Sequence, residues 1–246
     1  MKSRIKIYIN DMIKNPSYFL IIIFYLFVSV KSLLEVKKSL VESGMSQEPF
    51  SFTFQYLFFV LLIGFFLFLI MICISAIVVS DKLSGRCEML LANKVNIELL
   101  VKNYRTAVFF LCIIPIIILT AAFVGVSFSN KLYAITDMIK NVENIVFILA
   151  FLLFAFSLIE MIVYICLIVK KVEIIKSILS YSAIAFLFIV MVPVNQLRDR
   201  GWILDAKSLA LVISAVIFVL SGVFLLVTFL IKRKYSNEQI TLSFRQ

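Results

Sequence analysis

Six long apolar runs dominate this chain and constrain its fold more than any other feature. They cover about Ser17–Val30, Phe52–Val79, Thr106–Val126, Ile145–Val169, Ser177–Val194 and Lys207–Ile231. The first extends through Leu34 if Lys31 snorkels at the membrane edge. A helix satisfies its own backbone polar groups, and about 20 apolar residues carry it across the hydrocarbon layer. The sequence therefore predicts an all-α integral membrane protein forming a single transmembrane domain. Its six transmembrane helices are expected at 17–34, 52–79, 106–126, 145–169, 177–194 and 207–231. With 63% hydrophobic and 15% charged residues, the chain falls far short of the roughly 25% charge of a soluble domain.

The cations orient the bundle. With the N-terminus inside, sixteen Lys and Arg fall in inner segments, among them Lys2, Arg4, Lys82, Arg86, Lys102, Arg105, Lys170 and Lys232, against eight outside. Acidic residues divide almost evenly, so the asymmetry lies in the cations, and both termini are expected in the cytosol. The net charge of +10 flanks apolar runs rather than gathering on a polar domain, which speaks for a membrane and against nucleic acid. The first run lacks a small-x-small cleavage pattern and is expected to remain as a span.

Several chemistries are excluded. Without His there is no HExxH zinc site, no His-ligated haem and no Ser-His-Asp or Cys-His group. Cys73, Cys87, Cys112 and Cys166 show no CxxC spacing and read as small hydrophobes, so no metal site is expected. With no paired in-span aspartates and no GxSx serine motif, an intramembrane enzyme is also disfavoured. A chain without GxxxxGK[ST] holds no nucleotide-binding phosphate loop of its own.

Two flanking segments carry further information. In residues 1–15, Met1, Ile5, Tyr8, Ile9, Met12 and Ile13 share one helical face, with Arg4, Lys6, Asn10, Asp11 and Lys14 opposite. This pattern predicts an interfacial amphipathic helix, its apolar face toward acyl chains, ended by Pro16. The inner loop 80–105 is neither a hairpin nor a flexible linker. Leu83, Cys87, Leu90 and Leu91 fall at i, i+4, i+7 and i+8, the stripe of a short amphipathic helix, while Lys82, Arg86 and Glu88 project elsewhere. Such a helix suits a groove on a soluble partner, and equally the lipid surface.

The run Val79–Lys102 resembles the stretch after the second span of ABC-2 type transporter permeases. There an acidic residue leads to a glycine, then Glu and two leucines, a turn, and a lysine opening the third span. This chain supplies Asp81, Gly85, Glu88, Leu90, Leu91, Ala92 and Lys102, with Asp81 and Arg86 where the family often has Glu and Thr. The resemblance implies that loop 80–105 forms a coupling helix, with Asp81, Leu83, Gly85, Arg86, Glu88, Leu90, Leu91 and Lys102 facing or shaping the contact with an ATPase. It also implies two separate ABC ATPase subunits carrying ATP and Mg, and a second permease copy or related chain. This chain itself would be neither an enzyme nor a cofactor binder. A compact permease of this length resembles those that export antimicrobial peptides or confer immunity to them across a bacterial cytoplasmic membrane. Lipid, glycan or drug efflux are alternatives.

Glu160 is the one acidic residue deep in a span, about 13 Å from the inner end of the fourth. A carboxylate there should face protein or water. It reads as a contact in the translocation pathway, as the proton-coupling group of an ion-coupled carrier, or as a hydrogen-bonded packing residue, since no cation is obvious inside another span. Of the 25 Phe, seven of them in the second span (Phe52, Phe54, Phe58, Phe59, Phe65, Phe66 and Phe68), most are expected to face lipid and a minority to line an apolar translocation path suited to amphipathic or lipid-like cargo.

Overall fold

The computed structural model describes residues 2–43, 47–93, 95–129, 141–169, 177, 181 and 205–234. These form α1 (Lys2–Ile13), α2 (Pro16–Ser43), α3 (Gln47–Ile74), a π-helical turn (Ser75–Val79), α4 (Ser80–Leu83), α5 (Arg86–Ala92), α6 (Ile97–Ser129), α7 (Val142–Ile168) and α8 (Ala206–Lys234). Among the described residues there is no strand. Five stretches are long and apolar enough to cross a membrane: Pro16–Lys38, Phe52–Leu83, Ile97–Ser129, Val142–Ile168 and Lys207–Arg233. They bear out the first, second, third, fourth and sixth expected spans in position. The fifth, 177–194, lies outside the described residues except for Ser177 and Tyr181.

Local chemistry sets the helix boundaries. Asn15 breaks the chain between α1 and α2 and accepts the Ser17 N–H at 3.0 Å, while Pro16 opens α2, where its missing N–H costs nothing. Proline here begins a helix as well as ending one. Asn96 likewise caps α6 by accepting the Glu98 N–H at 3.1 Å, so the third span starts nine residues before the expected 106. At 33 residues α6 is about 50 Å long, against a hydrocarbon layer of about 30 Å, and projects from it. Asp205 caps α8 through the Ser208 N–H at 2.9 Å.

Ring contacts fix the directions of the helices. Phe59 packs on Phe147 with centroids 4.2 Å apart, and Phe66 on Phe151 at 5.1 Å, so α3 and α7 run the same way. Phe54 meets Phe123 at 4.9 Å while Phe109 meets Phe156 at 6.3 Å, so α6 runs against both. Phe154 with Phe224, and Glu160 with Lys232, place α8 parallel to α7.

α3 lies at the centre, packed against α2, α6 and α8 and ring-stacked on α7. Phe52, Phe54, Phe58, Phe59, Phe65 and Phe66 are all buried in protein. For the second span this corrects the expectation that most Phe face lipid: α2, α6, α7 and α8 all pack against α3. Pro115 sits inside α6 and has no N–H for the Leu111 carbonyl. The Tyr18 hydroxyl donates to that carbonyl at 2.7 Å and joins α2 to α6. At the end remote from α5, the Gln55 amide donates to Asn144 at 2.7 Å, joining α3 to α7.

Candidate functional site

Gly85 shapes the site. After the π-helical turn the chain continues as α4, and at Gly85 it adopts φ +71°, a left-handed conformation that glycine enters at little cost. Among the described residues nothing lies within 4 Å of where a Cβ would stand, so backbone conformation rather than crowding calls for glycine. The turn separates Leu83 from α5. Leu83 is 65% exposed, whereas Cys87 is fully buried and Leu90 and Leu91 pack inward. The single stripe expected from Leu83 to Leu91 is thus two elements facing different ways.

The base of α4–α5 is locked into the bundle by a carboxylate. Asp81, only 4% exposed, accepts the Tyr104 hydroxyl of α6 at 2.8 Å and the Arg86 guanidinium at 3.1 Å. The same Tyr104 oxygen lies 3.2 Å from the Cys87 sulfur. Tyr8 of α1 packs its ring on Tyr104 at 5.2 Å, and Met12 is buried one turn on. Part of the apolar face of α1 therefore meets protein rather than acyl chains. Burial pushes the Cys87 thiol up to about 11. Burial and then the Asp81 charge hold the Tyr8 phenol well above its ordinary value.

Lys82 makes a second anchor in another direction. Its ammonium donates to the carbonyls of Cys166 at 2.8 Å, Leu167 at 3.2 Å and Val169. Carbonyls in the last turn of a helix lack intrahelical partners and sit at the negative end of its dipole, so a buried cation suits α7 there. One pair of neighbouring residues, Asp81 and Lys82, thus fastens the projecting element to α6 and to α7.

Beside it, Glu160 joins three helices. One oxygen accepts Arg105 of α6 and the other accepts Lys232 of α8 at 2.7 Å. The Arg105 guanidinium lies 3.8 Å over the Phe156 ring, and the Lys232 ammonium 5.3 Å from that of Tyr164. Two cations thus reach Glu160 although neither lies inside an expected span. Both partners come from stretches that flank the expected spans, because α6 and α8 continue past the membrane core and carry their cations alongside α7. Glu160 does not line the apolar cleft of about 710 Å³ in the opposite half of the bundle. That cleft is walled by Phe58, Leu62, Ile116, Phe123, Phe147 and Phe151.

Of the expected site residues, the structure brings Asp81 and Arg86 into contact and turns Leu90 and Leu91 inward. It leaves Leu83 and Lys102 exposed and Glu88 half-buried. Sequence reasoning missed Met89, which is 64% exposed and off the predicted stripe. It also missed Tyr8, Lys82 and Tyr104 as anchors, and Arg105 and Lys232 as partners of Glu160. The spacing of Tyr104 and Arg105 after an Asn96 cap was the available signal, since it places both within α6. Among the described residues no group of three His, Cys, Asp or Glu is arranged to hold a metal ion. Comparison with protein-family models, with curated proteins and with solved structures finds no match.

Proposed function

We propose that this chain is the membrane-spanning permease subunit of an ATP-driven exporter of the ABC-2 type, and that α4–α5 receives motion from separately made ATPase subunits. One observation carries the reading: a short helical element projects from the bundle with its base fixed and its apolar tip exposed. Asp81 and Cys87 hold the base, while Leu83 and Met89 are 65% and 64% exposed. An element anchored to α6 through Tyr104 and to α7 through Lys82 moves those helices when it is pushed.

Topology supports the same reading. α1, α4–α5, the start of α6 and the last turns of α7 and α8 share one end of the bundle, tied by Tyr8–Tyr104, Lys82–Cys166 and Lys232–Glu160. That end gathers Lys82, Arg86, Lys102, Arg105, Lys232 and Arg233, and we take it as the cytosolic face. The parallel run of α7 and α8 supports the reading of six crossings with both termini inside. In this proposal two ATPase subunits hold ATP and Mg, a second permease copy or related chain completes the pathway, and the assembly sits in a bacterial cytoplasmic membrane. The largely apolar cleft between α3, α6 and α7, with Thr120 and Asn144 among its walls, favours an amphipathic cargo such as an antimicrobial peptide. The ion-coupled alternative is less well served, because both Glu160 oxygens are engaged by cations.

The test is coupled ATP hydrolysis in the assembled complex. Leu91→Arg should leave membrane insertion intact and abolish transport-coupled hydrolysis, and Gly85→Ala should weaken it through backbone strain alone. Full coupling in Leu91→Arg would refute the proposal.

A further inference from the structure

We propose that the seam of Arg105, Glu160 and Lys232 is a binding site for the phosphate of an anionic phospholipid in the leaflet on the α5 side. The charges are unequal: two cations share one carboxylate, whose two oxygens each take one partner. The remaining donors include Arg105 Nε, buried with no hydrogen-bond partner among the described residues, and Lys232, whose side chain is 40% exposed. A buried guanidinium N–H without an acceptor is costly and rarely tolerated in a protein interior, and a phosphate oxygen would satisfy it. Lys102 stands one turn before Arg105 on α6, and Arg233 follows Lys232; both are exposed. Among the described residues, the acidic groups here are Glu160 itself, paired with both cations, and Glu98 in the first turn of α6.

The apolar surroundings identify a lipid rather than a free anion. On the membrane side of the cations, two of the helices present exposed rings: Phe156 on α7, under the Arg105 guanidinium, and Phe229 on α8. A headgroup seated on Arg105 and Lys232 would lay its acyl chains over these rings. Basic pockets between transmembrane helices on the cytosolic side are where anionic headgroups bind. This inference concerns the bundle alone and stands whether or not an ATPase partner exists.

The experiment is native mass spectrometry of the full chain released from mild detergent, titrated with phosphatidylglycerol, phosphatidylcholine or inorganic phosphate. The wild-type chain should retain phosphatidylglycerol in preference to phosphatidylcholine. Arg105→Gln with Lys232→Gln should weaken phosphatidylglycerol by on the order of fivefold per cation, roughly 25-fold for the pair. Lys31→Gln, on α2 at the remote end, should leave it unchanged. Glu160→Gln should tighten the lipid, since it removes a competing carboxylate and leaves the cations, whereas a purely structural ion pair would predict no gain. Arg105→Lys with Lys232→Arg should retain selectivity, which separates lost binding from lost folding. Equal loss in Lys31→Gln, no preference for the anionic lipid, or displacement of the lipid by millimolar inorganic phosphate would overturn the proposal.

Discussion

Replacing Tyr18 with Phe removes one oxygen and preserves the ring. In α6 the Leu111 carbonyl has no N–H four residues on, because Pro115 stands there, and the Tyr18 hydroxyl at 2.7 Å takes that place. An unsatisfied buried acceptor costs about 1–3 kcal/mol in soluble proteins. Side-chain hydrogen bonds between transmembrane helices average ~0.6 and reach ~1.7 kcal/mol. Tyr18 is buried and water cannot substitute, so a value near the upper membrane figure is expected, about 1–1.5 kcal/mol, or roughly 5- to 12-fold in the unfolding equilibrium. Pro115→Ala supplies the missing N–H to Leu111. In that background Tyr18→Phe should cost almost nothing, a coupling of about 1 kcal/mol. Reversible unfolding from mixed micelles by dodecyl sulfate, followed by far-ultraviolet circular dichroism, reads all four corners of the cycle. Equal cost with Pro115 in place and in the Pro115→Ala background would refute the reasoning, as would a Tyr18→Phe chain as stable as its parent.

Further outcomes follow from the anchors of α4–α5. Lys82→Met keeps the aliphatic stem but strips the partners of Cys166, Leu167 and Val169, so amides in the last turn of α7 should lose hydrogen-exchange protection by about tenfold or more, as about 1.5–3 kcal/mol per charged hydrogen bond less desolvation implies. Unchanged protection would show that the cap is idle. Tyr104→Phe deletes the hydroxyl shared by Asp81 and Cys87 and should unseat α5, seen as faster alkylation of Cys87 with no comparable change at Cys73. With its thiol raised to about 11, Cys87 carries only about one thiolate in a thousand at pH 8 in the seated state. Its alkylation rate should therefore climb as pH rises from 9 to 11, whereas an ordinary thiol is already largely reactive at pH 9. A Cys87 that reacts at the ordinary rate at pH 8 would contradict the buried seat.

Much of the helical architecture is legible in the sequence because lipid leaves the backbone few choices: long apolar runs become helices, and five of them lie where the runs place them. Boundaries and facing directions are less legible. The start of α6 is carried by an Asn96 side chain, a local signal that hydropathy overlooks, and the shift from 106 to 97 brings Tyr104 and Arg105 into the helix. The phenylalanines of α3 suggest a lipid face, yet a helix with no polar side has nothing in its own sequence to say whether lipid or protein surrounds it. Only the partners decide, as Phe59 on Phe147 shows.

The candidate site divides along the same line. Gly85 and Asp81 are picked out in the sequence by the resemblance to ABC-2 permeases, which marks their positions and leaves their partners open. Which partner is a tertiary fact: Tyr104 lies 23 residues from Asp81, and Cys166 lies 84 from Lys82. The stripe from Leu83 to Leu91 fails because its periodicity runs through Gly85, where the helix it assumes is broken. Glu160 stands out as a costly carboxylate, but its cations sit in segments that read as flanks until the helices are seen to continue through them.

The central claim is that α4–α5 is a peg, fixed at its base and presented to a separate motor. A photo-crosslinking amino acid at Met89, the exposed apolar group on α5, tests it in living cells through identification of the captured product by mass spectrometry. The account predicts a crosslink to a nucleotide-hydrolysing protein, one that weakens when Leu91 is changed to Arg. Capture of lipid alone, or of another copy of this chain alone, would contradict it.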